Sequence, residues 1–74
     1  MSRLRRITGR QASKAFHKAG FEVIRTKGSH HFIRHPDGRA TVIPIHAGEI
    51  LGLGLFNQIL KDAEIERDEF EKLL

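Results

Sequence analysis

The sequence contains no cysteine, no tryptophan and no tyrosine. Without cysteine it can build neither a disulfide framework nor a thiolate zinc site. The simple expectation is a cytoplasmic chain. With five phenylalanines as its whole aromatic content, it offers little surface for stacking single-stranded bases. No apolar run reaches the roughly 20 residues of a membrane span, and "MSRLRRITGR" lacks the apolar stretch of a secretory signal. Acids are scarce in the first half. Residues 1–40 hold only Glu22 and Asp37 against ten Lys and Arg, a net of +8. Residues 41–74 hold three Lys and Arg against seven acids, a net of −4. A strongly basic half on a small chain points to a polyanion, most often nucleic acid. A solvated surface kept soluble by charge has the same composition, so charge alone leaves both readings open.

Seventy-four residues make one domain, 1–74. A domain of this size buries only about 60% of its unfolded surface, so partner binding matters to its stability. "ITGRQASKAFHKAG" predicts a first helix. Thr8 is a good N-cap, Gln11 completes a capping box, and Ala12, Ala15, Phe16 and Ala19 form one apolar face. Gly20 suits the position that ends it. Arg10, Lys14 and Lys18 make a basic stripe on the opposite face, and His17 is expected to face solvent. "FEVIRTK", "HHFIRH" and "RATVIPIH" read as three strands. "GS" breaks the first pair and "PDG" makes a tight turn in the second. Pro44 suits an edge strand or a strand end. After the glycine-rich "AGEILGLGL", a second helix is expected over roughly Leu53 to Asp62, with Leu53, Phe56, Ile59, Leu60 and Ala63 toward the core. "ERDEFEKLL" suggests a short last helix. The fold class is α+β, in the order α-β-β-β-α, with an antiparallel sheet open on one face.

The chemistry concentrates in "KGSHHFIRHPDGR", which holds three of the five histidines. Strand alternation puts Ser29, His31, Ile33 and His35 on one side and His30, Phe32 and Arg34 on the other. Both sides mix polar and apolar residues, so periodicity does not say which faces the core. Histidine moves a proton near neutral pH. Among cations it could take the proton from a ribose 2′-hydroxyl, whose oxygen then attacks the adjacent phosphorus. Nearby cations would keep such an imidazole neutral. Gly28, just before, permits close approach of a phosphate to the main chain. A metal site from His30, His31, His35 and His46 is the rival. It lacks the expected carboxylate or thiolate, because Asp37 is committed to the turn. Residue types alone do not choose among the imidazoles. The bland reading keeps His31 and His35 as surface residues and gives His46 a loop-capping role.

"AFHKAGFEVIRTKGSHHFIRHPDGRATVIPIHAGE" resembles the HicA toxin family, the small mRNA interferases of HicA–HicB toxin–antitoxin systems. The resemblance runs through Gly20-Phe21, "KGSH", "RHPDGR", "VIPIH" and "ILKDA". It implies a double-stranded-RNA-binding-domain-like fold with a three-stranded antiparallel sheet, a metal-independent ribonuclease with no cofactor, an mRNA substrate and a HicB-like antitoxin. The family's catalytic histidine, in its Gly-x-His step, falls on His30, with Gly28 as the motif glycine. Arg25, Lys27, Gly28, Ser29, Arg34 and Arg39 then become the expected RNA-binding set. His46 matches a recurrent histidine after the third strand. The second catalytic group stays open among His46, Lys27 and His31. Two departures stand out. Leu55 replaces a threonine common before the second helix, costing a cap hydroxyl worth roughly 1 kcal/mol, and Glu64 replaces a glycine. The added leucines suggest an antitoxin or self-association surface. The alternative from another class is an RNA-binding module of the same fold without catalysis.

Overall fold

The computed structural model describes residues 6–74. Arg3 and Arg5, counted above in the basic half, lie outside the described residues. The elements run α1 (Gly9–Lys18), β1 (Glu22–Lys27), β2 (His30–Arg34), β3 (Ala40–Pro44), α2 (Leu53–Ala63) and α3 (Arg67–Glu71). The three strands form one antiparallel sheet in the order β1-β2-β3. The α+β order read from the sequence is therefore the observed one, and Pro44 ends an edge strand.

Helix α1 starts as its capping box dictates. The Thr8 backbone N–H donates to Gln11 Oε1 at 2.8 Å, and the Gln11 N–H donates to Thr8 Oγ1 at 3.1 Å. It stops at Gly20, whose φ of 101° a side chain would resist. A Cβ there would also sit 2.9 Å from His35 Nε2. Gly9 serves close approach instead. A Cβ at Gly9 would collide with the Pro44 carbonyl oxygen, so α1 abuts the end of β3 only because glycine is there.

The core gathers Ala12, Ala15 and Phe16 of α1, Ile33 of β2, Ile43 of β3, and Phe56, Ile59, Leu60 and Ala63 of α2. Phe70 of α3 docks onto Phe16 and Phe56, with ring centroids 5.1 and 5.2 Å away. Thr41, the one buried polar residue described, donates to Asp62 of α2 at 3.1 Å. Both long helices pack on β3.

Helix α2 differs from expectation at its start. Leu53 is 61% exposed rather than in the core. The apolar spacing that faces the sheet begins at Phe56, and Leu53 lies on the solvent side of that stripe. The cap position is Gly52, which has no side chain to bond the first turn. Leu55 lies inside the helix, so the missing cap oxygen belongs to Gly52 and not to Leu55. At the far end Glu64 adopts φ 55° and ψ 42°, the left-handed conformation that glycine holds most cheaply.

Candidate active site

The register of the sheet settles which side chains share a face. Directly paired residues of antiparallel strands project to the same side. Ile33 pairs with Thr41 and His31 with Ile43. All four are on the helix side, since Ile33, Thr41 and Ile43 are buried. His30, Phe32 and Arg34, paired with Pro44, Val42 and Ala40, are on the outer side. The histidine that the resemblance singled out is exposed on the open face.

Simple alternation along β1 would group Val23, Arg25 and Lys27. Val23 pairs with Ile33 on the helix side, which would drag both cations away from His30. A β-bulge at Ile24 prevents this. The ladder passes from Val23–Ile33 to Arg25–Phe32, leaving Ile24 as the extra residue. After the bulge, Arg25 and Lys27 project to the outer face with Phe32 and His30. Lys27 pairs with His30 itself, and the Arg25 guanidinium lies 5.6 Å from the Phe32 ring centroid. Alternation alone predicts a plain strand for β1. The signal for the bulge was available: a regular strand would have put Val23 on the same face as two charges.

Gly28 and Ser29 form the two-residue link between β1 and β2. Gly28 has φ 58°, and Ser29 stays out of the left-handed region, as a hairpin turn with glycine first requires. No atom lies within 4 Å of where a Gly28 Cβ would stand, so the turn leaves open space above it. The Ser29 carbonyl accepts from the Ile45 N–H at 2.6 Å. That bond carries the chain past β3 and sets His46 Nε2 3.4 Å from Ser29 Oγ. His46 thus reaches the same hairpin tip from β3.

The expected RNA-binding residues separate. Arg25, Lys27, Gly28 and Ser29 gather around the His30 end of the face. Arg34 shares the face but stands four residues along β2, about 13 Å away, opposite Glu22. Arg39 is not brought to them. Its Nε donates to Asp37 Oδ2 and its NH1 to the Ala63 carbonyl, both at 2.8 Å, and its guanidinium covers the Phe21 ring at 5.2 Å. These contacts tie the β2–β3 turn to the end of α2. Asp37 is held below the ordinary carboxylate pKa, chiefly by the Arg39 backbone N–H and further by its guanidinium, with desolvation opposing. His35 is not a free surface residue either. Its ring packs against Phe21 at 5.2 Å, and its Nδ1 lies 3.1 Å from the Asp37 N–H nitrogen and 3.0 Å from Oδ1. His31 is half-buried on the helix side, and His17 is exposed as expected.

Among the described residues, no three His, Asp or Glu side chains converge as metal ligands, and no helix is long and apolar enough to cross a membrane. No curated protein matches the sequence significantly. A family profile described as HicA toxin of bacterial toxin-antitoxin matches residues 9–65, from the first residue of α1 to just beyond α2. That span contains the whole sheet, both long helices and the His30 face, and the chain belongs to the HicA toxin family.

Proposed function

We propose that this toxin is a metal-independent endoribonuclease acting on mRNA, with His30 as its proton acceptor. The observation that carries the reading is the shared face of His30, Lys27 and Arg25, created by the Ile24 bulge. His30 takes the proton from a ribose 2′-hydroxyl, and the 2′-oxygen forms a bond to the adjacent phosphorus. The bond from phosphorus to the 5′-oxygen breaks, leaving a 2′,3′-cyclic phosphate. Lys27, directly across the hairpin, gives a proton to the departing 5′-oxygen. Arg25 counters the charge that grows on the phosphate oxygens, and Arg34, further along the same face, holds a neighbouring phosphate of the strand. Of the other candidates for the second group, His31 is on the wrong side of the sheet, and His46 is directed at Ser29.

Open space above Gly28 supports a phosphate approaching the main chain there. A HicB-like antitoxin covers the same face in this reading. Its cations and the apolar Phe32, Val42 and Ile24 suit a partner that offers acids around apolar side chains. The test uses the pure full-length protein with RNA in EDTA beside His30→Ala. The parent is expected to cut, and the variant to lose about 10²-fold or more. RNA bound by the parent but left whole would make the protein an RNA-binding module instead.

A further inference from the structure

The helix side of the sheet is not fully covered. Both long helices sit on β3, and β1 is exposed along its whole length. Between α1 and the β1 side of the sheet lies a cleft of about 460 Å³. It is on the opposite side of the sheet from His30.

Helix α1 contributes Arg10, Lys14, His17 and Lys18 to its rim. Their spacing puts them on one helix face. The floor is apolar: Phe21, Val23, Ile33 and Ile45. Val23 is 47% exposed there, unusual for an apolar strand residue facing the helix layer. His31 lies between floor and rim, and its Nδ1 is buried without a hydrogen-bond partner. Such an atom is costly to leave unpaired. No acid lines the cleft, and the ion pairs among the described residues all involve Asp37.

Three permanent positive charges over an apolar floor call for an occupant with an anionic end and a flat, weakly polar body. The volume suits one small molecule. A bare phosphate would leave the floor wet, and an extended acidic peptide needs a longer groove. We propose that this cleft is a second nucleotide site, separate from the His30 face. Arg10, Lys14 and Lys18 hold the phosphate. The base lies on Val23 and Ile45, and a turn of the His31 ring brings the unpaired Nδ1 out to it for the one directed hydrogen bond. The occupant is a nucleoside monophosphate unit, either free or within an RNA chain. The site does not depend on the ribonuclease reading, because binding is measured without cleavage.

The experiment titrates the labelled full-length protein, by NMR, with 5′-AMP and separately with a 2′-O-methyl RNA trinucleotide, which has no free 2′-hydroxyl to attack. Saturable shifts are expected at Val23, His31 and Lys14. Lys14→Glu, an exposed substitution, should weaken binding about tenfold or more. His31→Phe keeps an aromatic ring of similar shape but removes both ring nitrogens, and should weaken it as well. Tighter binding of the trinucleotide assigns the site to RNA, and equal binding assigns it to a free nucleotide. No saturable shift at millimolar probe overturns the proposal. So do shifts confined to Phe32 and Arg34, shifts indifferent to both variants, or cleft signals that move only when an antitoxin is added.

Discussion

Lys27 and His30 are direct partners across the first hairpin, on the same side of the sheet. Two residues separate them in the chain, and their Cβ atoms stand about 4.5–5.5 Å apart by the geometry of such pairs. A cation and an imidazole so placed span the reach of one phosphodiester. Lys27→Ala should lower the single-turnover cleavage rate by about 10²-fold while leaving RNA affinity within a few-fold. Replacing the 5′-oxygen of the leaving group by sulfur should restore that variant, because a thiolate departs without a proton. Equal losses on both substrates would remove Lys27 from the chemistry.

Ile24 is the extra residue of the bulge and is 60% exposed. Deleting it joins Val23 to Arg25 in a regular ladder and keeps Arg25 and Lys27 on the His30 face. Deleting Thr26 instead turns Arg25 to the helix side. RNA affinity should survive the first deletion and fall in the second. Gel-shift titration compares the two.

Glu64 holds a left-handed conformation without the freedom of glycine. Glu64→Gly should stabilise the fold by about 1 kcal/mol, which for a domain of this size raises Tm by about 4–8 °C. Thermal unfolding followed by circular dichroism measures it. An unchanged or lower Tm would show that the position carries no strain.

Gly20 combines a positive φ with contact against His35. Gly20→Ala should destabilise by about 1–3 kcal/mol, read from urea unfolding. Because the cost lies at the opposite end of the sheet from Lys27, cleavage by the folded fraction should be unchanged.

Asp37 favours its ionised form in the fold, since the Arg39 N–H and guanidinium hold its pKa down. Its contribution is therefore complete above the ordinary carboxylate pKa and is lost as pH falls through the lower, folded value. Asp37→Asn should be less stable than the parent at pH 7, and the two should converge in strong acid. A constant gap across that range would contradict the assignment.

The elements were legible where local signals agreed. Thr8 and Gln11 announced α1, Gly20 ended it, and Phe56, Ile59, Leu60 and Ala63 gave the buried stripe of α2. Leu53 misled because an apolar residue at helical spacing looks like core until the sheet's position is known. The face of His30 was hidden, since alternation along β2 mixes polar and apolar residues on both sides. Only pairing with Pro44 and Lys27 reveals it. Arg39 looked like its neighbouring cations in sequence, but its three partners come from Asp37, Phe21 and Ala63, the last of them 24 residues away. The α1 basic stripe was visible, but the cleft behind it depends on how far the helix layer stops short of β1.

If His30 moves the proton in RNA cleavage, a single assay reads the consequence. Purified parent and His30→Ala proteins are incubated with RNA in EDTA, and the ends of the fragments are identified. Fragments with 2′,3′-cyclic phosphate ends are expected from the parent, with a loss of at least about 10²-fold in the variant. Intact RNA with the parent, or equal cutting by both proteins, would contradict it.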